Sequence, residues 1–91
     1  MTIYIAYKRI RFDIDEVIGV FKDSDRAELA IAEYLIREKE ARQFVDNEEM
    51  FFRLAASFEV DEWEVDSIVR KNNWGLTEVL LEELMKQIET A

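Results

Sequence analysis

Residues 57–67 read SFEVDEWEVDS, and this stretch decides which fold the chain can adopt. Five of the eight residues from Glu59 to Asp66 are acidic and none is basic, yet apolar residues are interleaved with them. Interleaving of this kind is typical of a half-buried strand. The alternation changes parity between Val60 and Trp63, and one extra residue at Asp61–Glu62, a β-bulge, restores it. The bulged strand would bury one apolar face, formed by Phe58, Val60, Trp63 and Val65.

The acidic side chains of this predicted strand face water together. With the bulge, the exposed face carries Glu59, Glu64, Asp66 and one or both of the bulged pair. The stretch contains no lysine or arginine, so we expect this face to lack neutralising charges. A helix is the alternative, but it would leave Val60 and Trp63 off the apolar stripe, and the strand is therefore preferred.

A hairpin and a helix are predicted before this strand. The runs IYIAYKRIRF (3–12) and VIGVFK (17–22) are rich in β-branched and aromatic residues and are typical of strands. The polar DIDE between them makes an antiparallel hairpin, in which Gly19 indicates a bulge or a close crossing. Residues 23–40 have apolar residues at helical spacing, with Ser24 as the predicted N-cap.

A second helical stripe follows in residues 46–58. Asp46 and Glu49 have the spacing of a capping box, which predicts a new helix start. No Pro or Gly interrupts the chain from 24 to 57, so one long helix and two separate helices both remain open at this point.

The last part of the chain predicts a junction and a final helix. Residues 68–75 contain turn-forming Asn and Gly residues and are predicted to be irregular. Residues 76–91 form a helix with Thr77 as N-cap and a broad apolar stripe that can also reach a second chain. The predicted stripe is Val79, Leu80, Leu84 and Ile88, widened by Leu81 and Met85. The sequence therefore predicts a single α+β domain over 1–91: a three-stranded antiparallel sheet, made of the hairpin and the acidic third strand, with two to three helices packed mainly on one face.

Composition excludes several classes of site. The 91 residues contain no Cys, which excludes disulfides, thiolate nucleophiles and cysteine zinc sites. They contain no His, the commonest metal ligand and the commonest general base near neutral pH. The DIDE segment lacks the further ligands and the Gly of a calcium loop, so it is interpreted as a polar hairpin loop. We predict a non-enzymatic protein without a metal or cofactor.

Charge and hydropathy narrow the choice of compartment and partner. No window approaches the ~18 apolar residues of a membrane span, and the N-terminal bases follow the apolar run, the reverse of a signal peptide. We predict a soluble, cytoplasmic protein. The net charge is −9, although residues 1–12 carry three bases and no acid. Free nucleic acid and membranes are therefore not predicted as partners, whereas a basic protein is.

The order of segments resembles the opening of small uncharacterised phage and bacterial proteins. The matching parts are Val17 to Phe21, Ser24 with the AELAI face from Ala27 to Ile31, and the acidic Phe58 to Asp66. With the first strand they cover roughly half of the chain. The resemblance implies a hairpin–helix–strand fold and a phage-type or accessory gene, and it implies no activity.

The acidic strand is the predicted binding surface. Carboxylates on one strand face repeat at about 6.5–7 Å, close to the phosphate spacing along one DNA strand. Such a row would occupy the basic surface of a nucleic-acid-binding protein by charge mimicry, as a phage-type inhibitor or regulator does. The predicted partner-binding residues are Glu59, Asp61, Glu62, Glu64, Asp66, Asp46, Glu48, Glu49 and Trp74.

The alternative function is a self-associating accessory protein. In that interpretation the acidic face is only solvated, and a homodimer forms through the C-terminal helix or a free sheet edge. Trp63 is predicted to lie in the core, whereas the choice between core and interface stays open for Trp74.

Overall fold

A computed structural model describes residues 1–66 and 69–90 of the chain. Its strands are β1 (Thr2–Lys8), β2 (Glu16–Phe21), β3 (Phe58–Glu64) and β4 (Arg70–Trp74), and its helices are α1 (Ser24–Arg37), α2 (Lys39–Gln43), α3 (Glu48–Ala55) and α4 (Glu78–Thr90). The strands form one antiparallel sheet in the order β2-β1-β3-β4. The predicted α+β class, the hairpin and the acidic third strand are confirmed. Three strands and two to three helices were predicted, whereas the described residues form four strands and four helices.

The fourth strand lies where an irregular junction was predicted. Its residues pair with β3 from Val60 opposite Trp74 to Trp63 opposite Arg70. Asn72 and Asn73 favour turns, but β4 lies at the edge of the sheet, where the side of the strand away from β3 faces water and polar residues are tolerated. Pairing with β3 therefore outweighs their local preference.

The predicted bulge in β3 is wrong. β3 pairs with β1 in unbroken register, from Phe58 opposite Lys8 to Glu64 opposite Thr2. The irregularity lies in the pairing with β4: Glu62 pairs with Asn72 and Trp63 pairs with Arg70, which leaves Lys71 as the extra residue. Without a bulge in β3, strict alternation puts Phe58 and Val60 on one face and Trp63 on the other.

The hydrophobic core lies between the sheet and the helices. Phe58, Val60 and Ala6 are fully buried there, against Ile31 and Leu35 of α1. The helices therefore pack on one face of the sheet, as predicted, and we call the opposite side the open face. Trp63 lies on the open face and is half-buried outside this core, so its predicted place in the core is wrong.

Gly19 marks the irregular point of the hairpin. The β1–β2 register shifts between Ala6 and Tyr7, so that Ile18 is the extra residue beside it. A Cβ on Gly19 would lie 2.6 Å from Cζ of the Phe21 ring. The missing side chain thus lets this ring cover the strand and reach the core.

Two helix starts lie one residue away from their predicted positions. Asp23 caps α1 by accepting the N–H of Asp25 at 2.8 Å, and Asn47 caps α3 by accepting the N–H of Met50 at 3.2 Å. The predicted caps were Ser24 and Asp46. Extended backbone at Glu38 (φ −68°, ψ 126°) ends α1, so the stretch from 24 to 57 holds three helices rather than one or two.

The final helix begins as predicted and presents a different face to the core. Thr77 accepts the N–H of Leu80 at 3.4 Å through its side-chain oxygen. Leu81 and Leu84 are buried, with Met85 and Ile88 packed beside them, whereas Val79 is 68% exposed. The predicted roles of Val79 and Leu80 in the core are wrong, since Leu80 is also exposed. Two overlapping apolar stripes share helical spacing, and only the packing of the helix selects one of them. Among the residues described, no helix is long and apolar enough to cross a membrane.

Candidate protein-interaction surfaces

The acidic side chains of β3 are divided between the two faces of the sheet. The register with β1 places Glu59 and Asp61 on the open face, with Tyr7, and Glu62 and Glu64 on the opposite face. The predicted single acidic face is therefore wrong, because it depended on the bulge. Asp66 lies exposed in the turn after β3, with a left-handed backbone (φ 71°) that Asp tolerates better than most residues.

Tyr7 connects the two carboxylates of the open face. Its hydroxyl lies 3.1 Å from Oε2 of Glu59 and 3.2 Å from Oδ1 of Asp61, and it donates its one proton to either. The Asn73 amide donates to Oδ1 of Asp61 at 2.8 Å and to the Tyr7 hydroxyl at 3.2 Å. Burial, the hydrogen bond to Glu59 and the negative charges of Asp61 and Glu59 together raise the pKa of Tyr7 to about 12. The phenol is thus held as a neutral hydrogen-bond donor.

Every carboxylate of β3 has a positively charged partner. Arg9 Nε lies 2.9 Å from Glu59, and Arg70 lies 3.2 Å from Asp61, whose side chain is 14% exposed. On the other face, Lys71 contacts Glu62 at 3.8 Å and Glu64 at 3.3 Å. The expectation of an unneutralised acidic strand is wrong, because the bases come from β4 and from the end of β1.

Glu64 has the strongest set of donors. The N-terminal ammonium of Met1 lies 3.1 Å from Oε1, and the Thr2 hydroxyl lies 2.9 Å from Oε2. Hydrogen bonds from the ammonium, then Thr2, then Lys71 lower the pKa of Glu64 to about 2. This carboxylate therefore holds the start of β1, the end of β3 and the β4 bulge together.

The predicted acidic residues outside β3 lie at the start of α3. Asp46, Glu48 and Glu49 are all exposed, and Glu49 pairs with Arg53 at 2.9 Å one helical turn later. Glu48 and Glu49 occupy the first turn of the helix, where the helix dipole favours negative charge. Their position is explained by the helix itself.

Trp74 lies between the core and the surface. Its ring packs edge-on against Tyr4, with ring centres 6.1 Å apart, and it contacts the buried core. Its indole N–H donates to Oε1 of Glu28 at 2.8 Å. The residue therefore fixes the side chain of an α1 carboxylate while it fills the end of the sheet.

That carboxylate belongs to a groove between α1 and α4. The groove has a volume of about 270 Å³ and an apolar lining in which Leu84 is buried, Leu80 is 37% exposed and Leu29 is 57% exposed. Its full lining is Asp25, Glu28, Leu29, Ala32, Glu33, Ile36, Leu76, Leu80, Glu83, Leu84 and Gln87. We call it the α1–α4 groove.

The α1–α4 groove contains the carboxylates that the sequence analysis missed. Among the residues that the structure describes, four acids line it and no lysine or arginine does. Asp25, Glu33 and Glu83 are exposed, and within residues 1–66 and 69–90 none of the three forms an ion pair. They come from two helices that are distant in sequence, so no single acidic run revealed them. The available signal was the broad apolar stripe of the last helix.

Comparison with known proteins gave no match to a family model, to a curated protein or to a solved structure.

Proposed function

We propose that the protein is a non-enzymatic binding module that holds a basic, amphipathic helical segment of a partner protein in the α1–α4 groove. The observation that carries this proposal is that the described lining of the groove combines exposed apolar surface with four carboxylates and contains no lysine or arginine. The groove carboxylates thus differ from those of β3, each of which already has a positive partner within the chain.

Apolar side chains of the partner would supply most of the affinity. A helix laid in a groove presents anchors at i, i+3, i+4 and i+7, and each buried aliphatic side chain contributes about 1.5–3 kcal/mol before ordering costs. Leu29 and Leu80 offer exposed apolar surface on the two sides of the groove. A volume of about 270 Å³ suits a few side chains rather than a large cofactor.

Charge would select a basic partner. Lysine or arginine side chains flanking the apolar anchors would reach Glu33 on α1 and Glu83 on α4, which have no ion pair among the described residues. Because the chain carries a net charge of −9, long-range attraction would also raise the association rate. Basic helices are common in nucleic-acid-binding proteins, so an inhibitor or regulator of such a protein is the role that this groove fits.

A designed peptide tests this proposal directly. The probe is a helical Leu/Lys amphipathic peptide, compared with a scrambled peptide of the same composition and with a Leu/Glu version. We expect the Leu/Lys peptide to bind with a Kd of about 1–100 μM, between the ~8.2 kcal/mol of a micromolar complex and the ~4.1 kcal/mol of a millimolar one. We expect binding to weaken as salt is raised.

Matched variants separate the groove from net charge. Glu33→Gln with Glu83→Gln removes two groove carboxylates, and Glu48→Gln with Glu49→Gln removes two from α3, so both proteins change net charge equally. The groove variant should lose about five- to tenfold in affinity, or about 1–1.4 kcal/mol, and the α3 variant less than twofold. Equal losses of affinity in the two variants would show that only net charge attracts the peptide. If the scrambled peptide binds as tightly as the Leu/Lys peptide, the groove does not recognise an amphipathic helix.

A further inference from the structure

The outer side of β2, the strand EVIGVF, is an edge of the sheet that no other described strand pairs with. β2 is at one end of the sheet, and among the described residues its backbone forms no hydrogen bonds to any segment other than β1. Sheet edges are commonly protected by charged residues or Pro. The opposite edge has Arg70 and Lys71, whereas β2 has a single charge, at Glu16.

The apolar residues of β2 form a self-complementary pattern. Val17 is 60% exposed and Val20 is 58% exposed, and the extra residue at Ile18 places both on the open face. In an antiparallel pair of two β2 strands with Gly19 opposite Gly19 of the second copy, and with Ile18 as the extra residue in each strand, Val17 of one copy lies opposite Val20 of the other. Opposed residues share a face, so the four valines would form one contiguous cluster.

The same register brings opposite charges together at both ends. It places Asp15 of one copy opposite Lys22 of the second copy, and the reciprocal pair follows from the two-fold symmetry. Both side chains are exposed. Within the described residues Lys22 forms no ion pair, and the Asp15 carboxylate accepts only a long hydrogen bond, from the Ile10 N–H at 3.4 Å.

We propose that two copies of this chain pair through β2 in an antiparallel register that sets Val17 against Val20 and Asp15 against Lys22, which joins the two sheets into one of eight strands. The charge pairs and the valine pairs agree on a single register, and this agreement favours a second copy over an unrelated strand. The interface is distinct from the α1–α4 groove and does not depend on the function proposed for it.

Charge-swapped single variants test the register. Lys22→Glu makes both end pairs of its own homodimer acidic, and Asp15→Lys makes both basic. A mixed pair of the two variants restores opposite charges at both ends. We expect sedimentation equilibrium to show a dimer for the natural chain, at least tenfold weaker homodimers for each variant, and a mixed dimer within about threefold of the natural one.

A lysine in the middle of the edge provides a second test. Val20→Lys should abolish the dimer, because it places a charge against Val17 of the other copy, and Val79→Lys makes the same change at a similarly exposed site on α4 and should leave it intact. Circular dichroism checks that both variants fold, and both should still bind the Leu/Lys peptide. A natural chain that stays monomeric at millimolar concentration overturns the proposal and leaves this edge for a strand of another protein. A mixed pair no tighter than the single variants, or a Val20→Lys dimer, overturns it as well.

Discussion

Replacing Tyr7 by Phe removes one oxygen from the open face and leaves the ring in place. The hydroxyl donates to Glu59 at 3.1 Å or Asp61 at 3.2 Å and accepts from Asn73 at 3.2 Å. Tyr7 is 7% exposed, so water cannot easily replace these contacts. The variant therefore measures the hydrogen bonds that the phenol contributes to the cluster.

The structure sets the expected magnitude for Tyr7→Phe. A hydrogen bond to a charged group contributes about 1.5–3 kcal/mol, but both carboxylates keep an arginine, Arg9 or Arg70, after the change. We therefore expect a loss of about 1–2 kcal/mol at neutral pH. For a domain of this size each kcal/mol lowers the Tm by about 4–8 °C.

The loss of stability caused by Tyr7→Phe should depend on pH, and the direction of this dependence follows from the pKa of Tyr7. The folded protein holds the pKa of Tyr7 at about 12, whereas the ordinary value is 10.0. A raised pKa stabilises the fold fully below pH 10, and this contribution is lost as the pH rises from 10 to 12. The difference between the natural chain and the variant should therefore shrink by about 1 kcal/mol between pH 8 and pH 11.

Urea unfolding at pH 8 and pH 11 measures this difference through the midpoints at constant m-value. Tyr34→Phe is the matched control, because the Tyr34 hydroxyl donates at 3.0 Å to Glu16 on the exposed surface. It should cost less than about 0.5 kcal/mol. A Tyr7→Phe cost below that of the control, or a cost that does not change with pH, would show that the Tyr7 hydroxyl does not stabilise the fold through these carboxylates.

Two further predictions test other parts of the structure. Phe58→Ala should cost about 3–5 kcal/mol by urea unfolding, because Phe58 is fully buried, whereas Trp63→Ala on the open face should cost clearly less; equal costs would contradict the assignment of faces. The pKa of Glu64 is lowered to about 2, so its stabilising contribution is present above the ordinary value of 4.5 and is lost as the pH falls towards 2. An NMR titration of the Glu64 carboxyl should have its midpoint near 2, and a midpoint near 4.5 would show that its contacts do not form in solution.

The fold class was predictable because local patterns and tertiary structure agree over most of the chain. The hairpin, the stripe of α1 and a strand at 58–64 all follow from period and composition. The fourth strand was not predictable from the polar run around Asn72 and Asn73, since pairing at a sheet edge depends on the neighbouring strand rather than on local preference.

Assigning the faces of β3 required tertiary information. The interpretation with a bulge assumed that Trp63 must join Phe58 in the core, but an open sheet face also accepts a half-buried tryptophan. The corrected assignment of the β3 faces also changes the interpretation of the acidic residues, because their carboxylates form ion pairs within the chain. Arg9, Arg70 and Lys71 lie outside the acidic stretch and become its partners only when the strands pair.

The α1–α4 groove likewise could not be predicted without tertiary information. Its carboxylates come from two helices that are distant in sequence, and only packing places Glu33 and Glu83 beside the same apolar surface. Val79 and Leu80 were predicted to face the core, but they are 68% and 37% exposed, so the sequence of α4 did not show which of its apolar residues remain uncovered. Which acids surround that surface could not be deduced from composition.

Methyl NMR spectra recorded while the Leu/Lys peptide is added show directly whether the peptide occupies the α1–α4 groove. We expect the methyl signals of Leu29, Ile36 and Leu80 to shift together and to saturate with one dissociation constant, while those of Val17 and Val20 stay unchanged. Shifts confined to the open face, at Ile3 and Ile5, or spread evenly over the molecule, would contradict a binding site between α1 and α4.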